Sequence, residues 1–145
     1  GNYLNSQLVR MEANANGFHE GIVLDPSGLV SEGSGENLFI VRGGTIYTPA
    51  SQHSILPGIT RHTAITLAKD LGFQVEERGI PREFLYIADE VFFTGTAAEV
   101  TPINSIDHVQ IGDGKRGPIT EQIQRRYFET INAEVDDQHG WLSFV

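Results

Sequence analysis

The sequence predicts an α+β fold, with a curled, partly barrel-like, antiparallel-rich sheet and flanking helices. Three observations carry this reading. Strand-like apolar runs outnumber helical patterns. Most of these runs arrive in consecutive pairs separated by short turns containing Gly or Pro, the pattern of hairpins. No repeat, linker or low-complexity segment interrupts them, so residues 1–145 read as a single domain.

The elements follow in order. In NYLNSQLVRMEANANGF, Leu4, Leu8, Met11 and Ala15 recur at helical spacing, and Asn16-Gly17 supplies a C-terminal stop. HEGIVLDPSGLVSEG reads as two strands joined by the turn Asp25-Pro26-Ser27-Gly28. NLFIV and TIYTPA make a second hairpin about RGG. Leu38, Phe39, Ile40 and Val41 are apolar without alternation, which predicts a strand buried on both faces. Pro57-Gly58 then precedes a helix over ITRHTAITLAKDLG, with Ile59, Ala64, Leu67, Ala68 and Leu71 inward and Gly72 as its stop. FQVEERG alternates as a strand, and PREFLYIA opens on Pro81 as a short helix. EVFFTG is another buried strand, followed by TAAEVTPI. HVQI and the turn GDGKRG lead to the last helix, PITEQIQRRYFETINAE, with Ile119, Ile123, Tyr127 and Ile131 on one stripe.

Composition narrows the function. A hydrophobic content of 39% with 20% charged residues describes a globular chain. The net charge of -9 disfavours a nucleic-acid backbone or an anionic membrane, so no nucleic-acid and no membrane partner is expected. No apolar run approaches the length of a membrane span, and no basic-then-apolar leader is present, which makes a cytoplasmic location the default. The absence of cysteine excludes disulfides and thiolate metal sites. His19, His53, His62, His108 and His139 are scattered without an i,i+4 pair, so no metal site is expected. The chain opens on Gly1 with no initiator Met, the expectation being a piece of a longer protein.

Three stretches hold chemistry. SEGSGENLF sets Glu32 and Glu36 directly before the buried strand; facing water they belong to a turn, facing inward they need a group that accepts negative charge. LPGITR puts Gly58 and the free amides of Ile59 and Thr60 at a helix start that favours an anion, with the Thr60 hydroxyl and Arg61 as further donors. An ordinary helix cap reads the same way. FTGTAAE offers the amides and hydroxyls of a Thr-Gly-Thr turn after a buried strand. Ser34 lacks the G-x-S-x-G context of a nucleophile and reads as a small turn residue.

Taken together, GNYLNSQLV, GLVSEGSGENLFIV, LPGITR, DEVFFTGTAAEVTPI and GPITEQIQRRYFE…GWL resemble the class IV pyridoxal-phosphate aminotransferases, and most closely the branched-chain amino-acid aminotransferases. The resemblance runs from Gly1 to about Leu142, and E-x-S-x-x-N-L-F at 32–39 is its specific part. It implies the fold of the D-amino-acid aminotransferase-like large domain and pyridoxal 5'-phosphate as cofactor. The substrates implied are amino acids and 2-oxo acids: Leu, Ile or Val with 2-oxoglutarate. The parent enzyme is expected to be a homo-oligomer. It further implies that Glu32 sits against the pyridine nitrogen as the catalytic carboxylate, keeping it protonated and the ring a better electron sink. Tyr3 is implied as the partner of the phenolic oxygen and Leu56 as the residue on the ring face. The Ile59 and Thr60 amides with the Thr96 hydroxyl are implied as the phosphate cradle, and the amides around Gly95, Thr96 and Ala97 as the site of the substrate α-carboxylate. Glu36 and Asn37 stand beside these, a supporting and a purely structural role being equally open.

The family's cofactor-binding lysine lies just upstream of the segment matching Gly1–Tyr3, and a small N-terminal domain precedes it. Lys69 and Lys115 lie in no family motif and read as surface charges. The 145 residues alone are therefore expected to be inactive, as the larger C-terminal domain of an enzyme about twice as long. D-amino-acid aminotransferases and aminodeoxychorismate lyases of the same family would use a similar cradle. A non-catalytic phosphate-ligand-binding domain is the alternative from another class.

Overall fold

In the computed structural model, which describes residues 3–143, the chain forms α1 (Leu4–Ala15), β1 (Ile22–Leu24), β2 (Val30–Gly33), β3 (Asn37–Arg42), β4 (Thr45–Pro49), α2 (Ile59–Asp70), β5 (Val75–Arg78), β6 (Glu90–Gly95), β7 (Glu99–Ile103), β8 (Ser105–Ile106), β9 (Val109–Gln110) and α3 (Pro118–Ile131). Short 3-10 segments span Ser51–His53 and Arg82–Ile87. This is the α+β architecture expected from the pattern of hairpins.

β3 organises the sheet. Along one edge it pairs antiparallel with β6 from Asn37↔Thr94 to Val41↔Glu90, and β6 continues into β7. The other edge is divided: β2 takes Glu32↔Asn37, and β4 takes Ile40↔Tyr47 through Arg42↔Thr45. The β3–β4 turn is Gly43-Gly44 with φ of 58° and 81°, the two left-handed residues a tight hairpin needs to match strand twist. β1 extends the sheet beyond β2, and β5 joins β4 in parallel through the α2 crossover. Among the described residues β1 and β5 do not pair, so the curled sheet is not a closed barrel, although the chain just past β5 bridges to the start of β2 at Leu29↔Pro81.

Where β2 and β4 part, side chains replace the missing ladder bonds. Thr48 Oγ1 donates to the Leu38 carbonyl at 2.8 Å, and Ser31 Oγ donates to the Ser54 carbonyl at 3.2 Å. Glu32 stands at this fork, paired in register with Asn37.

The unbroken apolar run of β3 is explained by burial on both faces. Phe39 and Val41 join Phe92, α2 and α3 in one core cluster; Leu38 and Ile40 join Val91, Phe93, Leu85 and Ile80 in the other. Phe39 stacks on Phe92 with ring centroids 4.9 Å apart. α3 is fixed to the first cluster by Glu90, whose carboxylate accepts the Ile119 and Thr120 amides at 3.0 and 2.7 Å and the Thr120 hydroxyl at 2.6 Å. A carboxylate from β6 thereby caps a helix whose own N-cap, Gly117, has no side chain.

Helix phase departs from the sequence reading at three places. Ile59 is 86% exposed, not inward, while Thr60 and Arg61 are buried. Ile59 lies five residues before Ala64, about 140° around the helix, whereas Thr60 and Arg61 fall on the Ala64 side. In α1 the stripe of Leu4, Leu8, Met11 and Ala15 is exposed, and the docking face is Val9 and Ala13. A Cβ on Gly21 would lie 2.7 Å from Val9 Cγ1, so the absent side chain is what lets α1 approach β1. Ile131, in the last turn of α3, is 43% exposed.

Candidate active site

Glu32 occupies the fork, half buried. Its Oε2 accepts the Leu56 amide at 2.8 Å and the Asn37 Nδ2 at 3.1 Å, and Asn37 Nδ2 also donates to the Leu56 carbonyl at 2.8 Å. Both bonds to Glu32 fall on one oxygen, which leaves Oε1 without a hydrogen bond among the described residues. Burial raises the proton affinity of the carboxyl above the ordinary carboxylate range, and the charge of Glu36 adds to this, with the Leu56 N–H opposing. The inward reading of Glu32 therefore holds, and the Leu56 peptide is clamped while its side chain stays 63% exposed.

Two residues past Leu56 the chain enters α2. Its first intrahelical bond runs from His62 N to the Gly58 carbonyl, so the amides of Ile59 and Thr60 have no intrahelical partner. Gly58 is required here, since a Cβ would lie 2.3 Å from Asn37 Oδ1. The side chains of this turn depart from expectation. The Thr60 hydroxyl lies against the Tyr127 phenol rather than at the open end, and burial, with the Glu99 charge, raises the phenol's proton affinity. Arg61 turns into the protein and donates to the Pro49 carbonyl at 3.0 Å and to Glu77 at 2.6 Å, so its charge is spent on the sheet and not on an anion. The cradle at this turn is made of backbone.

The β6–β7 turn lies next to the fork. Thr94 is in register with Asn37, and Gly95 packs against the β2–β3 turn, where an added Cβ would meet the Gly35 carbonyl at 3.2 Å. Thr96 and Ala97 are exposed. Thr94, fully buried, has a hydroxyl with no partner among the described residues, an orphaned polar atom one strand from Asn37. The sequence reading counts this hydroxyl among those of the Thr-Gly-Thr turn but gives the cradle role to Thr96 and none to Thr94. On the other side of the β2–β3 turn, Glu20 accepts the Ser34 amide and pairs with Arg10. Burial raises the proton affinity of Glu36, and a hydrogen bond with Glu20 adds to it.

Tyr3 is 64% exposed at the N-cap of α1. The next turn of α1 brings Asn5 and Ser6 to a cleft of about 240 Å³ shared with Glu32, Ser31 and Ser54. The structure thus gathers Glu32, Leu56, Ile59 and Thr60 in one stretch, sets Gly95, Thr96 and Ala97 at the end of the strand beside Asn37, and leaves Tyr3 exposed at the start of α1. The set combines a half-buried carboxylate with a free oxygen, two unpaired helix amides, an orphaned hydroxyl and an exposed aliphatic side chain. It has the chemistry needed for a protonated aromatic nitrogen, a phosphate and a flat ring, and so fits pyridoxal phosphate.

The comparisons with known proteins agree. The family model described as amino-transferase class IV matches residues 1–106. The branched-chain-amino-acid aminotransferase of Escherichia coli (strain K12) is 52% identical over 145 residues, 100% of this chain and 47% of that protein. The crystal structure of an E. coli branched-chain amino acid aminotransferase superposes with a TM-score of 0.97 at 52% identity, over 99% of this chain and 48% of that one. That of the branched-chain amino acid aminotransferase from Thermobaculum terrenum, in its PLP-form, gives 0.95 at 45% identity, over 98% and 47%. The chain belongs to the class IV aminotransferase family, and it spans about half the length of the relatives it matches.

Proposed function

We propose that this chain is the cofactor-binding large domain of a pyridoxal-phosphate-dependent branched-chain aminotransferase, which moves an amino group between leucine, isoleucine or valine and 2-oxoglutarate. The single observation that carries the reading is the clamp of Glu32, Asn37 and the Leu56 peptide directly before the open N-terminus of α2. A carboxylate of raised proton affinity and two amides without an intrahelical partner, lying in one short stretch of structure, support this reading. The enzyme is read as cytoplasmic and homo-oligomeric, and among the described residues no helix is long and apolar enough to cross a membrane.

Pyridoxal phosphate, when bound, supplies the electron sink that stabilises negative charge at the substrate Cα. The chain's own groups hold and tune it. Glu32, with Oε2 fixed by two donors, offers Oε1 to the ring nitrogen and holds a proton there. The Ile59 and Thr60 amides take the phosphate at the positive end of α2, assisted by the Thr96 hydroxyl. The Leu56 side chain covers a ring face and excludes water from it. Tyr3 orients the phenolic oxygen, and the amides around Gly95, Thr96 and Ala97 hold the substrate α-carboxylate. The proton at Cα is moved by the family's lysine, upstream of the segment matching Gly1–Tyr3.

The test is transamination by the full-length enzyme with cofactor, following glutamate formed from 2-oxoglutarate. Leucine, isoleucine and valine should each support turnover, and D-alanine should not. Turnover with D-alanine alone, or no cofactor-dependent turnover, overturns the reading.

A further inference from the structure

Loop 51–58 carries Leu56 and leads into α2, yet after Pro49 it belongs to no strand, so something must hold it in place. Its far end is clamped by Glu32 and Asn37, as described. Its near end is held by His53, whose Nδ1 lies 2.8 Å from Asp25 Oδ2 in the β1–β2 turn; the two side chains are 13% and 5% exposed. Because a carboxylate only accepts, the proton of this bond sits on Nδ1. Asp25 is itself fixed, its Oδ1 accepting the Ser27 and Leu29 amides at 2.8 and 3.0 Å. The His53 hydrogen bond, with those amides, holds the Asp25 carboxyl below the ordinary range against the effect of burial. The other side of the imidazole lies on Gly79, where an added Cβ would come within 3.0 Å of Nε2. His53 is thus wedged between the β1–β2 turn and the end of β5. The next residue, Ser54, adopts φ 59° and passes its carbonyl to Ser31. A left-handed non-glycine residue is held there by its surroundings.

We propose that His53 and Asp25 form a positioning pair for the cofactor site: by fixing the start of loop 54–58 they set where the Leu56 N–H meets Glu32 and where the α2 amides point. This rests on the reading of Glu32 and the α2 N-terminus as the pyridoxal-phosphate site. Neither residue bonds Glu32, Leu56 or the α2 amides, although Asp25 also lines the cleft beside Glu32. The effect travels through two residues, Ser54 and Ile55, the second of which is buried. Among the described residues, the His53 ring carries the only side-chain hydrogen bond from Ser51–Ser54 to the β1–β2 turn.

The experiment compares wild type, His53→Ala, His53→Phe and His53→Asn in the full-length enzyme, measuring amide hydrogen exchange without cofactor and the Kd for pyridoxal phosphate. His53→Phe keeps a ring on Gly79 and removes only the hydrogen bond, so it serves where the alanine variant does not fold. Asparagine restores a donor near Nδ1. Loss of the bond should speed exchange at 54–58 about tenfold or more and weaken cofactor binding about five- to twentyfold, with exchange in β3 and β6 unchanged. His53→Asn should recover most of both. Exchange at 54–58 within twofold of wild type overturns the proposal. So does an unchanged Kd beside a loosened loop, or a parallel rise in β3 and β6, which would make the pair a general stabilising contact. A wild-type enzyme that binds no pyridoxal phosphate refutes the functional reading instead, and the exchange data are independent of it.

Discussion

Glu32 keeps its place in a half-buried fork because two donors converge on one of its oxygens, which is the arrangement that leaves the other free for a ligand. Replacing it by Gln in the full-length enzyme retains the shape and removes the charge. The loss of one charge-assisted hydrogen bond predicts about 1.5–3 kcal/mol, or ten- to a hundredfold in turnover, with cofactor affinity falling less. Turnover within twofold of wild type would remove Glu32 from the mechanism. Glu36 behaves differently with pH. Its folded-state proton affinity is raised, so the charged form opposes folding. That penalty is absent below the unfolded carboxyl value of about 4.3 and grows as pH rises toward the folded value. Glu36→Gln, which cannot ionise and can still donate to Glu20, should raise the Tm at pH 7 and leave it unchanged near pH 3.5. Glu20, lowered by its hydrogen bonds and Arg10 in spite of burial, has the opposite sign: its stabilisation is full above the unfolded value and is lost as pH falls. An equal Tm difference at both pH values would refute this account of Glu36.

At the level of elements, what the sequence makes legible is set by the range of the interactions. β3 and β6 are legible because a four-residue apolar run at Leu38–Val41 has one solution, burial on both faces. The Gly43-Gly44 hairpin and the α2 start at Gly58 are local chemistry and equally plain. Helix phase is less so. Ile59 looks like a core residue by hydropathy, but the rotation of α2 is fixed by Ala64, Leu67 and Ala68, and it turns Ile59 out and Arg61 in. Likewise the α1 stripe loses to Val9 and Ala13, which pack on Gly21, just before β1, where no side chain stands in the way. At the site, Glu32, Leu56 and the Ile59–Thr60 amides are recognisable from the family motif. The Thr60 hydroxyl, Arg61 and Thr94 are not, since their partners are set by tertiary packing. The Glu90 cap on α3 spans thirty positions and has no local signature. Glu90→Ala would orphan one buried and one part-buried amide and a buried hydroxyl at a helix start, costing about 2–4 kcal/mol in urea unfolding. A loss under 0.5 kcal/mol would mean that α3 is held by its apolar face alone. Gly58→Ala tests the fork in the same way: φ is an ordinary -67°, so only the contact with Asn37 Oδ1 resists the methyl. Asn37 must then give up a bond to Leu56 or Glu32, and cofactor affinity should fall with little change in helix content by circular dichroism.

Across the whole molecule, under the proposed function the two core clusters and the fork make a frame that orients the cofactor, and an amine is needed to move the proton. Amines among the described residues are few. Lys69 is exposed near the end of α2, nine residues past Thr60, which is about 13 Å along the helix from the Ile59 and Thr60 amides. Lys115 is exposed in the turn before α3. Neither is buried, and neither lines the cleft beside Glu32. The 145-residue chain by itself should therefore show no leucine-dependent turnover, while the full-length enzyme under identical conditions does. The measurement is glutamate formation from leucine and 2-oxoglutarate, with the mass of each protein verified and pyridoxal phosphate in excess. Steady turnover by the 145-residue chain would require an amine within the fork, and would assign proton transfer to a group other than the family's upstream lysine.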